Sequence, residues 1–478
     1  MRVFALFWAA SISLFAQTFQ TVVNFDNTNG SKPYAPLVQG TNGGLYGTTL
    51  SSADGYGTAF ELGPGGFQSF GICPGQGCVG AHGPEGGLVQ ASNGNFYGTS
   101  VSGGTYGAGT VYAMTPGGTF KVLHSFDGTD GEAPESTLVE AADGSFYGTT
   151  TGGGAYGHGG TIFRITAGGE LSTLYSFCAQ STCPEGYFSP GVVQASDGNF
   201  YGTAYLGGGE CSIGSSDCGT VFRMTPSGEL TVIYHFCALP GCPDGAYPGS
   251  TLVQASDGNL YGTTQGGGAE NCTYEFGCGT LFRISLTGEL TTLYTFCLQS
   301  GCEDGSSPEG LIQGTDGNLY GVTDVGGLKG GTAYGGGTIF RITLGGQLTT
   351  LHQFCQQTNC ADGASPLGAL VQDTDGTFYG TTSGGGDSKD GTVFSLSVGL
   401  APFVESQTAS GKVGTAVNIL GTDLTGATSV TFNGVSANFA GRSSSLIQAT
   451  VPVGATSGKI VVVTPKGTLV SRAVFSVL

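Results

Sequence analysis

Along most of the chain, short runs in which apolar and polar residues alternate are each ended by Gly, Asn or Asp, a pattern that reads as strands and tight turns. The plainest stretch is LVQASDGNLYGTTQGGG over residues 252–268, followed by GTLFRISLTGELTTLYTF over 279–296. The same unit recurs seven times, its Tyr-Gly step at Tyr46, Tyr97, Tyr147, Tyr201, Tyr261, Tyr320 and Tyr379. Its Gly-Thr step recurs at Thr58, Thr110, Thr161, Thr220, Thr280, Thr338 and Thr392.

Two intervals in the unit are rigid and two are elastic. From Gln39, Gln90, Glu140, Gln194, Gln254, Gln313 and Gln372 to the next Tyr is always seven residues. From the Thr to the Phe that closes the unit is 16 residues in five copies and 12 in the first. Fixed spacing around turn residues predicts two β-hairpins, a–b and c–d, in each copy. The remaining intervals vary from 12 to 19 and from 14 to 20 residues. In a four-stranded meander these variable b–c and d–a loops fall at one end, giving a constant turn face and a variable loop face. Loops on a rigid scaffold are where binding groups concentrate.

The last copy stops after Thr392-Val393-Phe394 without a strand d, whereas Phe19–Phe25 (FQTVVNF) has the form of one. The expected fold is therefore all-β, a seven-bladed β-propeller over residues 17–398 closed by an N-terminal strand, which leaves no open edge. After Ala401 the composition shifts to Val, Thr, Ser and Gly. Strand-like runs at Ala416–Leu420, Ser429–Phe432, Leu446–Val451, Lys459–Thr464 and Ala473–Val477 predict a small immunoglobulin-like β-sandwich over 401–478.

The repeat, with its LVQASDGNFYGT opening, GGG loop and GTVFRMTPSGELT hairpin, resembles the Gloeo/Verruco (GloVer) tandem repeat over residues 19–397. That resemblance implies an extracellular protein of a Gram-negative bacterium and carries no catalytic residue set. The tail resembles the TIG/IPT immunoglobulin-like domain at Val413-Gly414-Thr415-Ala416-Val417, Ile419–Leu424, Val430–Gly434 and Val451-Pro452-Val453-Gly454-Ala455. This implies a spacer or interaction module.

Composition places the chain outside the cytoplasm. Residues 1–16 begin Met1-Arg2, continue as an apolar run to Phe15 and end at a small residue, the form of a signal peptide. No later run approaches the roughly 20 apolar residues of a transmembrane helix, so a secreted or cell-surface location is expected. The 14 cysteines form seven close pairs: Cys73/Cys78, Cys178/Cys183, Cys211/Cys218, Cys237/Cys242, Cys272/Cys278, Cys297/Cys302 and Cys355/Cys360. Zinc is the rival reading of paired cysteines, but each pair sits in the loops of its own repeat, which favours disulfides. A formal charge of −19 repels phosphate backbones and excludes nucleic acid as a partner.

Candidate site residues follow from the loop face. Asp130, Glu185, Asp244, Asp304 and Asp362 each precede a Gly in the d–a loops. Carboxylates brought toward a central channel would suit calcium, and the same Asp-Gly step is also an ordinary turn; no cofactor is otherwise required. Tyr187, Phe188, Tyr247, Tyr274, Phe276 and Tyr334 place aromatic rings in the longest loops, where they could stack on a sugar or grip a protein. The recurring Arg164, Arg223, Arg283 and Arg341 are expected to pair with carboxylates of a neighbouring blade. No G-x-S-x-G, H-E-x-x-H or phosphate-binding loop is present, and no acidic pair stands out as catalytic. The expected function is a non-catalytic extracellular binding or adhesion protein for a glycan or protein ligand. The alternative is a secreted carbohydrate-active enzyme, a hydrolase or lyase, on the same face.

Overall fold

The computed structural model describes residues 17–73, 80–141, 143–209, 218–268, 278–298, 301–327 and 336–478. Apart from a 3-10 turn at Thr358–Cys360, every element among them is a strand. The signal-peptide segment, Cys78, Cys211, Cys272, Tyr274, Phe276 and Tyr334 lie outside the described residues.

Each repeat folds into one four-stranded antiparallel sheet, and seven such sheets follow one another along the chain. Sheet 3 is typical, with strands a to d at Val139–Glu140, Phe146–Thr150, Thr161–Ile165 and Leu171–Ser176. Strand a holds only two or three residues in six sheets and eight, Ser306–Gln313, in the sixth. Sheet 7 takes its fourth strand from the other end of the chain: Thr18–Asn24 pairs antiparallel with Thr392–Ser397. That pairing slips between Thr21 and Val23, as sheet 3 slips opposite Ile162/Phe163 and sheet 5 opposite Leu281/Phe282. The N-terminal segment thus reproduces the bulged c–d geometry of the other repeats.

Core packing lies between successive sheets. The Tyr of one sheet stacks on the strand-b aromatic of the next, as in Tyr46/Phe96, Tyr97/Phe146, Tyr147/Phe200 and Tyr320/Phe378, with ring centroids 4.1–4.2 Å apart. Aromatic pairs at this distance add to the area they bury. A second set of contacts runs beside the a–b turns. The strand-a Gln of one sheet accepts a backbone N–H from the sheet before it: Gln90 from Thr41, Gln254 from Ser196, Gln313 from Ser256 and Gln372 from Thr315. Gln39 of sheet 1 accepts in the same way from Thr374 of sheet 7.

Residues beyond 403 form two further four-stranded sheets. One runs Val404–Ser406, Ala416–Gly421, Leu446–Thr450, Phe439–Gly441, and the other runs Val435–Ser436, Ser429–Phe432, Ile460–Thr464, Gly467–Val470. Val417, Ile419, Ile447 and Val404 of the first share one core with Val430, Phe432, Ile460 and Val462 of the second. This unit rests against a–b turns of the repeat sheets: Ser445 Oγ donates to Thr41 O, Gln407 to Gln90 Oε1, and Thr374 and Thr422 hydroxyls lie 2.9 Å apart.

Candidate functional site on the loop face

Each d–a loop is laid into the seam between the sheet it leaves and the sheet it enters. The Gly after the acid lands where strands b and c of the next sheet join, on a buried hydroxyl pair such as Thr150/Thr161 at 3.0 Å or Thr382/Thr392 at 2.8 Å, and on Ala204 with Thr220 in sheet 4. Gly131 lies against the first pair and Gly363 against the second, both at positive φ, so a side chain has neither room nor a relaxed backbone there. The Pro further on packs over the Gly-Thr glycine of the sheet being left, as Pro134 does on Gly109 and Pro366 on Gly337. Pro33 packs on Gly391 in the same way between sheets 7 and 1.

The acids themselves cap their own loops. Asp244 Oδ2 accepts the Tyr234 hydroxyl at 2.9 Å and the Cys237 N–H at 3.0 Å, and Asp304 does the same with Tyr294 and Cys297. Glu185 accepts the Cys178 N–H, and His124 and His352 stand in for the Tyr beside Asp130 and Asp362. The expected approach of these five carboxylates to a common channel is not what the structure places. The groups of three close His, Cys, Asp or Glu ligand atoms among the described residues contain none of them. Asp244 Oδ1 and Asp304 Oδ1 are buried without a partner, while Oδ2 of each acid is committed to hydrogen bonds of its own loop.

The cysteines meet expectation in part. Disulfides join Cys178–Cys183, Cys237–Cys242, Cys297–Cys302 and Cys355–Cys360, and Cys73, Cys218 and Cys278 are also disulfide-bonded. All eight cysteines of the four resolved pairs have positive φ. Arg164 pairs with Asp143 at 2.8 Å, a carboxylate of its own sheet, because strand c lies directly beside the a–b turn of the same repeat. The neighbouring-blade pairing expected for it is therefore corrected.

What does converge is a different set of residues. Three positions beyond the acid, or beyond Asn29 and Gly80 in the two loops that lack it, stands a left-handed residue: Lys32, Gly83, Ala133, Phe188, Tyr247, Ser307 and Ser365. Six of these are not glycine, a strained conformation that persists only where surroundings enforce it. In most of these loops its carbonyl takes the N–H of the residue just past strand b, as Ala133 does from Thr151 and Tyr247 from Gln265. Two residues beyond the left-handed position stand Tyr34, Glu85, Glu135 and Glu309. Tyr34 of sheet 1 feels the charges of both Glu85 in the loop entering sheet 2 and Asp324 of sheet 6. Sheets 1 and 6 are not sequence neighbours, yet their loops bring Tyr34 within electrostatic range of Asp324 as well as of Glu85.

Electrostatics there is one-sided. Burial and then the Glu135 charge push the Glu85 carboxyl up to about 7. Burial and then Asp324 raise Glu309 well above the usual range, and burial raises Glu135 and Asp324. Glu309 is 7% exposed and accepts from Gln265 Nε2 at 2.8 Å. None of these four acids takes part in an ion pair among the described residues. Beside them is a cavity of about 370 Å³ walled by Phe188, Pro190 and Tyr205, with Glu135, Thr151, Gly249 and Gln265 supplying its polar groups.

Of the aromatics expected to bind, Phe188 lines this cavity and is 38% exposed. Tyr187 packs on Phe188, and Tyr247 is buried against Tyr205. Glu85, Glu135, Glu309 and Asp324 are the residues that sequence reasoning passed over. Their signal is irregularity: one loop position reads Tyr34, Glu85, Glu135, Pro190, Gly249, Glu309, Leu367 around the repeats.

The fold and the disulfides define a repeat-built, β-structured protein of extracellular type. The chain belongs to the Gloeobacter/Verrucomicrobia repeat family, which matches residues 52–272 and 210–445. No functionally curated protein matches it. Among solved structures it is similar to the extracellular domain assigned to the hybrid two-component system BT3049 of B. thetaiotaomicron, at 13% identity and TM-score 0.50. That match covers 93% of this chain and 52% of the other, so the chain spans about half the length of that structure. PorZ of Porphyromonas gingivalis, a bacterial surface component of the type-IX secretion system, matches at 12% identity and TM-score 0.49, covering 95% of this chain and 60% of that one. Among the described residues, no helix is long and apolar enough to cross a membrane.

Proposed function

We propose that the chain is an exported binding protein, secreted or held at the cell surface, whose ligand site is the centre of the loop face. In this reading residues 1–16 are a signal peptide and the seven sheets of 17–398 are the blades of a closed β-propeller. Residues 401–478 are a TIG/IPT immunoglobulin-like domain. The sheet 7 pairing with Thr18–Asn24 and the contacts of Pro33 with Gly391 and Gln39 with Thr374 support closure.

The observation that carries the functional reading is the convergence of non-repeating residues. A scaffold that only had to fold would repeat its loop residues, whereas Glu85, Glu135, Glu309 and Asp324 break the pattern and form no ion pair among the described residues. Extracellular glycans and proteins are the two ligand classes such a face could serve. A glycan array run alongside product analysis tests the reading: retention without turnover supports a binder, and turnover of any polysaccharide overturns it.

One observation favours a second reading, a secreted carbohydrate-active enzyme. A carboxyl raised to about 7 beside another carboxylate, as Glu85 is beside Glu135, is suited to general acid work on a glycosidic bond. Loss of turnover in Glu85→Gln would mark that role.

A further inference from the structure

We propose that the cavity between Phe188, Tyr205 and Glu135 takes a protonated amino sugar, a pyranose with hydroxyls and a free ammonium group. The inference rests on the binding reading above and adds the ligand class.

Its size, about 370 Å³, falls within the range of small-molecule pockets, about 300–1,000 Å³. The hydrogen-bonding groups of its walls point to the class of ligand. Gln265 donates one amide N–H to Glu309, which leaves its carbonyl oxygen and its second N–H to the cavity. Thr151 shares its single hydroxyl hydrogen between Ala133 O at 3.0 Å and Glu135 Oε1 at 3.3 Å, so its lone pairs remain. Glu135 offers a carboxylate oxygen beyond the one Thr151 uses. The polar lining therefore combines acceptors with the second Gln265 N–H and the Tyr205 hydroxyl as donors, and a complementary ligand brings donors and acceptors together. Sugar hydroxyls and an ammonium group do so, while the rings of Phe188 and Tyr205 suit both the apolar face of a pyranose and a cation.

Charge then selects among sugars. Glu85, Glu135, Glu309 and Asp324 have no Lys, Arg or His counter-ion in any ion pair among the described residues, and the chain carries a formal charge of −19. Uronic acids are repelled by the acidic face, whereas an ammonium group seated beside Glu135 pairs with its carboxylate and favours the ionised form, which a neutral sugar cannot do.

Isothermal titration of the full chain with a glucosamine hexamer, an N-acetylglucosamine hexamer, a galacturonate hexamer and an oligolysine peptide tests this. The expected result is binding of the glucosamine hexamer, about tenfold or more weaker binding of the acetylated one, and none of the uronate. Glu135→Gln, which keeps the side-chain shape, should lower glucosamine affinity about tenfold with the melting temperature unchanged. Phe188→Ala provides an independent second variant. Equal binding of the acetylated hexamer, indifference to both variants, preference for oligolysine, or absence of glucosamine binding each overturns the inference. Should another glycan on the array be retained in that last case, the binding reading stands while the ligand class falls; if nothing is retained, both fall.

Discussion

Gln39 and Asp373 are 334 residues apart in sequence, and the Gln39 amide donates to the Asp373 carboxylate at 2.7 Å. The same Gln39 amide also donates to Thr374 Oγ1. These bonds tie the first repeat sheet to the seventh, where the contact cannot be inherited from chain continuity.

The Asp373 carboxyl is pushed up to about 6 by burial and then by the Asp375 charge. A carboxyl whose folded value is raised favours its neutral form in the fold. Its stabilising contribution is therefore complete below about 3.8, the value of the unfolded chain, and is lost as pH rises through about 6. Thermal unfolding should show a fall in melting temperature across this window. Asp373→Asn, which still accepts from Gln39, should flatten the fall and stabilise the protein at pH 8 on the order of 2 kcal/mol.

Gly363 has φ +101, and a Cβ there would sit 2.6 Å from Thr382 Oγ1. Gly363→Ala should cost about 2–4 kcal/mol, from backbone strain together with steric displacement of the Thr382/Thr392 pair. Gly144 also has positive φ but faces open space, so Gly144→Ala should cost only about 1 kcal/mol. Urea unfolding of the two variants separates conformation from contact; equal losses would contradict the docking role given to the acid-Gly step.

The Cys237–Cys242 bridge closes a short loop, for which chain entropy gives a stabilisation of about 2 kcal/mol. Both cysteines have positive φ, 59° and 46°. The pair replaced by Ala should lose the cross-link and keep the strain, whereas the pair replaced by Gly should lose only the cross-link. Melting temperatures should rank wild type, then the Gly pair, then the Ala pair, with about 1 kcal/mol per residue between the last two.

Asp244 accepts two internal hydrogen bonds on Oδ2, which commits that oxygen to holding its own loop. Calcium up to millimolar levels should leave the melting temperature of wild type unchanged. Asp244→Ala should cost about 1–3 kcal/mol, by leaving the Tyr234 hydroxyl and Cys237 N–H without their acceptor. A calcium-dependent rise lost in Asp244→Ala would restore the cation reading.

Much of the scaffold was legible in the sequence because hairpin register is a local property. The constant Gln-to-Tyr interval reappears as pairings such as Gln254↔Leu260 beside Val253↔Tyr261, and the strand at Phe19–Phe25 was found by its likeness to other d strands. The role of Asp130 and its counterparts was not legible. That the following Gly lands on a hydroxyl pair of the next sheet is a fact of tertiary packing, and the motif alone reads equally as a cation loop. Glu85, Glu135, Glu309 and Asp324 were overlooked for the opposite reason: attention to what repeats hides what does not. Only the sheet-to-sheet arrangement reveals that residues so far apart in sequence share one space.

The C-terminal sheets touch Thr374 of sheet 7, Thr41 of sheet 1 and Gln90 of sheet 2. They thus straddle the joint where the first and last repeats meet, the place at which no peptide bond holds neighbours together. A module fastened there works as a clasp. Any unravelling that begins by peeling the N-terminal strand from sheet 7 would leave sheets 7, 1 and 2 still bridged. Resistance to pulling or proteolysis at the amino end therefore depends on a domain at the other end of the polypeptide.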